Sequence, residues 1–107
     1  IATETEPGVN PYNPLTSFDA VRELEKNSDI VIVLYHGGKE HYRYPSPQLQ
    51  KIFRKFAQCG ASLVIAQHTH CIGCAERYQG STLLYGQGNF LLANGKGPFW
   101  DTGLLLQ

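Results

Sequence analysis

Methionine is absent from the 107 residues, cysteine is down to three, and neither sign of charge is in excess. Each shortage excludes something. Nine basic against nine acidic side chains give a formal net charge of zero, and no basic stripe interrupts the mixture. Nucleic acid and anionic membrane surfaces are held by clustered positive charge, so neither is expected as the principal partner. No apolar stretch approaches the ~20 residues of a membrane span, and no signal-peptide pattern opens the chain. Cys59, Cys71 and Cys74 are an odd count, which argues against a disulfide framework and leans towards a reducing compartment. With no methionine, a first residue Ile1 and an ending inside the apolar run Leu104-Leu105-Leu106, the chain is expected to be part of a longer polypeptide. Its apolar fraction of 42% and charged fraction of 17% fit one globular domain with a modest core.

What the chain does have is two apolar runs that stop at histidines. Ile30-Val31-Ile32-Val33-Leu34-Tyr35 runs into His36-Gly37-Gly38, and Leu63-Val64-Ile65-Ala66 runs into Gln67-His68-Thr69-His70. Val- and Ile-rich runs of this length read as buried strands of a parallel sheet. Ligands gather at the carboxyl ends of such strands. Three of the four histidines therefore fall where a binding site is expected.

The rest of the chain fits around these runs. Residues 1–15 hold three prolines and lack periodicity, so they read as a connecting loop. Thr16 followed by Asp19 resembles a capping box and predicts a helix from near Ser17 to Asn27-Ser28, with Phe18, Val21 and Leu24 on its apolar face. Asp29–Tyr35 is the first strand. A polar loop, Gly37–Ser46, leads to Pro47, which suits the first turn of a second helix. Leu49, Ile52, Phe53, Phe56 and Ala57 recur along it at helical spacing, and Gly60 is its expected C-cap. Leu63–Ala66 is the second strand, completing a βαβ unit. Ala75–Tyr78 and Thr82–Tyr85 form a predicted hairpin through Gln79-Gly80-Ser81. Asn89–Leu92 and Thr102–Leu106 are two further predicted strands around the turn-rich segment Ala93–Phe99. The fold class is therefore α/β shading into α+β: a βαβ unit followed by antiparallel strands.

The candidate chemistry sits in these loops. In an extended segment residues i and i+2 point to one side, so the imidazoles of His68 and His70 could reach one cation. Neighbouring parallel strands lie ~5 Å apart, which brings His36 within range. Imidazole suits Zn, Fe and Ni and, with carboxylate support, Mn. A single histidine at a strand end is more often a hydrogen-bonded structural residue, so it is the pair and its neighbour that carry the signal. Cys71-Ile72-Gly73-Cys74 could add two thiolates for a structural zinc, although the abutting ligand pairs make one tetrahedral cage awkward. The plainer reading of these cysteines is packing at a strand start, and of Cys59 packing at a helix end. Glu40 could orient a ligand histidine or pair with Arg43. His41 reads as exposed, Asn89 as a turn residue, and Glu76 and Tyr78 as strand-face residues.

These residues also carry a resemblance. Asp29–Glu40 resembles the segment "D, hydrophobic run, H-x-G-x-E" of the CapA/PgsA family, the bacterial capsule and poly-γ-glutamate synthesis proteins. Gly60–His70 is similar to its "G-A-D, hydrophobic run, G-H-H-P-H" segment. Glu76-Arg77-Tyr78-Gln79-Gly80 with Leu84–Phe90 is similar to its "E-x-Y-x-G … I-x-Y-S-L-G-N-F" segment. Order and spacing hold from about Asp29 to Leu92. That family belongs with the calcineurin-like metallophosphoesterases, so the resemblance implies half of a four-layer α/β/β/α sandwich around a two-metal centre. It implies His36 and His68 as ligands of one divalent ion (Mn, Fe or Zn) and His70 as a ligand of the other, all three catalytic. Glu40, His41 and Asn89 would stand behind them or touch substrate. A pair of metals ~3.5–4 Å apart clamps a phosphoryl oxygen for hydrolysis.

The departures shape the expectation as much. Gln67 stands for a glycine or histidine, Thr69 for the proline and Gly37 for a tryptophan. The superfamily's carboxylate and asparagine ligands from its N-terminal half have no match here, and Asn10 and Asn13 lie in a Pro-rich loop. The chain thus reads as residues 1–107 of a C-terminal part of one CapA-like metallophosphatase domain. Alone it is expected to be inactive, its partners being the N-terminal half of the domain and a phosphoester or anionic polymer. Two alternatives stay open: a non-catalytic polymer-binding or assembly protein with a degenerate site, and a structural zinc module built on His68, His70, Cys71 and Cys74. The resemblance is bacterial and leaves the parent either cytoplasmic or membrane-associated outside the cytoplasm.

Overall fold

The computed structural model describes residues 2–3, 5–91 and 100–107. Among them lie two helices and four strands: α1 (Ser17–Asn27), β1 (Ile32–His36), α2 (Pro47–Gln58), β2 (Leu63–Gln67), β3 (Ala75–Tyr78) and β4 (Ser81–Leu84). The predicted turn-rich segment 93–99, and Leu92 of the predicted strand before it, fall outside the described residues.

α2 forms as its sequence dictates. Ser46 Oγ accepts a hydrogen bond from the Leu49 amide at 3.2 Å, and Pro47 occupies the first turn, where no amide is missed. At the other end Gly60 takes φ +107°. Its amide bonds to the Ala57 carbonyl at 3.0 Å and the Ala61 amide to that of Phe56 at 3.1 Å, a Schellman closure. α1 starts differently from expectation. The Thr16 side chain makes no cap hydrogen bond, and Asp19 pairs with Arg22. The turn is set by Asn13 instead, whose Oδ1 accepts from Leu15 and whose carbonyl accepts from Thr16 and Ser17. Of α1 only Val21 is buried, and Leu24 remains 53% exposed. Pro-rich residues 1–15 contain no helix or strand among those described up to Asn13. Tyr12 tethers them by edge contacts with Phe18, Tyr35 and Phe56.

The strands make one sheet in the order β1-β2-β4-β3. β1 and β2 are parallel, with Ile32 beside Leu63 and His36 beside Gln67. β4 also runs parallel to β2, so only β3 is antiparallel. The predicted hairpin is present, and its turn residues Gln79 and Gly80 have φ +50° and +87°, the left-handed pair that a twist-matched two-residue turn requires. The chain therefore carries an α+β arrangement with a parallel majority.

Two expectations fail for a shared reason. β1 is an edge strand, and it alternates: Ile32 and Leu34 are 55% and 63% exposed, while Val33 and Tyr35 pack inward. Its apolar run is thus not buried on both faces; of the two runs that end at histidines, that of central β2 is, through Val64, Ile65 and Ala66. Among the described residues the predicted strands at 89–92 and 102–106 form no strand; one antiparallel bridge joins Gly103 to Gly88, just before the first of them. Phe90 and Leu91 are 94% and 86% exposed and pair with no strand among the described residues. An apolar run becomes a strand only where a partner edge pairs with its backbone.

Both helices contribute to one core, joined by Val64, Ala66 and Leu83 of the sheet and by Tyr85 just beyond β4. Phe53, fully buried, sits at its centre, stacked on Tyr85 at 5.0 Å and edge-on to Tyr35 at 5.6 Å. No described helix is long and apolar enough to cross a membrane.

Phe53→Ala should lower stability by about 3–5 kcal/mol. Ser46→Ala should cost about 1 kcal/mol, whereas Thr16→Ala should stay within about 0.5 kcal/mol. Urea unfolding of the three variants checks this ordering.

Candidate metal centre

Parallel β1 and β2 end level with one another. His36 lies opposite Gln67, and the Gly37 amide extends the ladder by one bond of 2.8 Å to the Gln67 carbonyl. Beyond this point the second segment leaves the sheet. His68 has φ +121° and His70 φ +55°, conformations that side-chain-bearing residues seldom adopt. The two imidazoles therefore do not converge through extended alternation, as the sequence suggested. A left-handed turn brings them round.

The turn is held on three sides. Thr69, at its centre and 3% exposed, donates through Oγ1 to the Cys71 carbonyl at 3.1 Å. Its own carbonyl accepts the His41 amide at 2.8 Å, which pins the 37–46 loop against the histidines. Gly86 closes the third side: a Cβ there would come within 2.6 Å of both the Cys71 carbonyl oxygen and Thr69 Oγ1.

The resulting geometry gathers three possible ligands. Glu40, His68 and His70 each offer an atom, and all three atoms lie within 4.8 Å of one another. Glu40 Oε1 is 3.5 Å from His68 Nε2. Glu40 thus stands among the donors rather than behind them. His36 borders the set, its ring 5.0 Å from that of His68, and the His68 and His70 rings are 5.9 Å apart. Two imidazoles and a carboxylate are a donor set that suits Zn, Fe or Mn.

Asn89 stands behind His70. Its Oδ1 lies 2.8 Å from His70 Nδ1, and its Nδ2 donates to the Trp100 carbonyl at 2.9 Å. With the amide so anchored, Oδ1 accepts from a protonated Nδ1. That fixes the tautomer and leaves Nε2 as the donor atom, the usual arrangement around a ligating histidine. Trp100 stacks on His70 with centroids 5.2 Å apart and 28° between planes, and lies 5.9 Å from the His41 ring. His41, at φ +63°, is exposed and joins this aromatic cluster, not the ligand set. Trp100 was missed by sequence reading. It is the sole tryptophan, just after a glycine- and proline-rich stretch, and that isolation is the one signal that could have flagged it.

The other candidates are occupied elsewhere. All three cysteines are free thiols. Neither Cys71, 2% exposed, nor Cys74, packed on the core, belongs to a metal-competent cluster among the described residues. Arg43 Nε donates to the Ile72 carbonyl. Glu76 accepts from Arg54 and from the Tyr85 hydroxyl, each at 2.8 Å. Burial, and then that bond to Glu76, raise the Tyr85 phenol well above its usual range, so it remains a donor.

Known proteins resemble this chain along most of its length. A family model described as "Bacterial capsule synthesis protein PGA_cap" matches residues 2–94. The "PGA biosynthesis protein CapA" of Bacillus subtilis (strain 168) is 31% identical over 104 residues, 97% of this chain and 27% of that protein. The "Capsule biosynthesis protein CapA" of Bacillus anthracis is 29% identical over 109 residues, 98% of this chain and 26% of that one. The chain thus spans about a quarter of the length of these curated relatives.

Because backbone and a buried hydroxyl surround Gly86, Gly86→Ala should destabilise by about 1–3 kcal/mol, read from the urea midpoint. Gly80→Ala provides the contrast, since nothing lies within 4 Å of its would-be Cβ; it should show backbone strain alone.

Proposed function

The chain belongs to the bacterial capsule synthesis family PGA_cap, and from that premise we propose that it supplies half of a metal-dependent phosphoesterase centre to a protein of capsule or poly-γ-glutamate biosynthesis. The convergence of Glu40, His68 and His70 within 4.8 Å is the observation that carries this reading. These three would hold one divalent cation, Mn, Fe or Zn. His36, on the neighbouring strand tip, would face a second, whose remaining ligands lie outside this chain. A cation so held supplies Lewis acidity to a phosphoryl oxygen.

The chain's own residues do the rest. Asn89 keeps His70 Nδ1 protonated and its Nε2 available. Trp100 covers one face of that ring and limits its rotation. Glu40, 54% exposed on its side chain, provides the negative charge that two neutral imidazoles lack. Its position on the 37–46 loop also ties closure of the site to the bond between His41 and Thr69. The thiols of Cys71 and Cys74 take no part, which sets this reading apart from a structural zinc module.

Calorimetric titration with Mn²⁺ or Zn²⁺ should show binding that His68→Ala abolishes and Asn89→Ala weakens about 10–100-fold. Cys71→Ser combined with Cys74→Ser should leave it unchanged; loss in that double variant, with retention in His68→Ala, would reverse the assignment. The full-length protein with Mn²⁺ should cleave a chromogenic phosphodiester, and His68→Ala should lower kcat at least about 100-fold. The isolated chain should be inactive.

A further inference from the structure

A groove of about 560 Å³ opens beside the histidines, its wall including His36, Gln67, Gln87, Asn89 and Asp101. That size suits a ligand of some tens of atoms. We propose that it takes the organic group of the phosphoester, and that this group is uncharged and largely apolar, such as an alkyl chain, rather than a run of carboxylates. The proposal rests on the cation reading above and extends it to substrate class.

Position is the first argument. His36 belongs to the groove wall, and its ring is 5.0 Å from that of His68. A phosphoryl group at the cation would therefore leave its substituent in the groove.

Charge is the second. Among the described residues Asp101 is the groove wall's one carboxyl side chain, with neither lysine nor arginine beside it. Two of the wall's three side-chain amides are already engaged, leaving that of Gln67. Asn89 is held between His70 and the Trp100 carbonyl, and Gln87 Nε2 donates to the Leu104 carbonyl at 3.3 Å. A chain of carboxylates running along the groove away from the cation would be desolvated next to Asp101 with no lysine or arginine among the described wall residues to offset it, which is costly.

Apolar surface is the third. Phe90 and Leu105 line the same groove at 94% and 88% exposure. Large apolar side chains left open on a groove wall mark where an apolar ligand would recover burial.

The test uses the chain at saturating Mn²⁺, with uptake of the metal measured first by calorimetry. Octyl phosphate, kept below its micelle concentration, should then bind at least about 10-fold more tightly than inorganic phosphate, and more tightly than a γ-linked glutamate oligomer. Phe90→Ser should erase the advantage of octyl phosphate over inorganic phosphate, which separates groove binding from adhesion to other apolar surface. Asp101→Lys should raise the affinity for the glutamate oligomer several-fold. If Mn²⁺ binds but octyl phosphate gains nothing over phosphate, or the glutamate oligomer equals it in the unaltered chain, the groove proposal is overturned and the cation reading survives. If no Mn²⁺ is taken up, both fall.

Discussion

Everything in this molecule that bears on chemistry depends on two parallel strands ending in step. The pairing of His36 with Gln67, prolonged by the Gly37 amide on the Gln67 carbonyl, fixes where both loops begin. A slip of one residue would turn each side chain to the opposite face. It would also part the His36 and His68 rings, which now stand 5.0 Å apart. The core enforces this register from below. Val64 and Ala66 of the central strand, Val33 and Tyr35 of the edge strand, and Phe53 of α2 interlock on one side of the sheet. A slipped β1 would put Ile32 and Leu34 where Val33 and Tyr35 now pack, and would lose the edge contact between Tyr35 and Phe53.

The turn above the strands is the strained part, and it is supported accordingly. His68 and His70 both carry positive φ, at a cost of order 1–3 kcal/mol for each such residue. Their turn survives because its interior is fully bonded. Thr69, the buried residue between them, both donates and accepts, and no described buried side-chain polar atom lacks a partner. Strain held by a satisfied interior is a means of presenting imidazoles in one direction. Asn89 and Trp100 then fix what the turn leaves free, the tautomer and tilt of the His70 ring. The edge strand and the open groove wall differ in kind, carrying exposed apolar side chains rather than buried polar ones.

Much of this was legible beforehand. Helical spacing, a serine before Pro47 and a glycine at position 60 specify α2 locally, and the structure has it from Pro47 to Gln58. The β-prone runs and the Gln79-Gly80 turn were equally readable. The failures share a pattern. Thr16 looked like a cap, yet Asn13, three residues earlier, supplies the bonds. The segments at 89–92 and 102–106 had strand composition, but among the described residues only Gly103 bridges, to Gly88. β1 read as buried and lies at an edge. Each depends on which backbone lies alongside, and composition does not state that.

The sequence by itself determined the kinds of group available and the level at which they gather: histidines following apolar runs, at the carboxyl ends of adjacent strands. Local propensity and the period-two and helical patterns suffice for that, because they act over a few neighbouring residues. Tertiary structure alone decided which donors meet. Glu40 entered the set, the cysteines were kept out of it, and Asn89 and Trp100 were drawn in from residues 19 and 30 positions beyond His70. Donor geometry is fixed to within ångströms by left-handed turns and long-range hydrogen bonds, and such closures are properties of the packed chain rather than of any stretch within it.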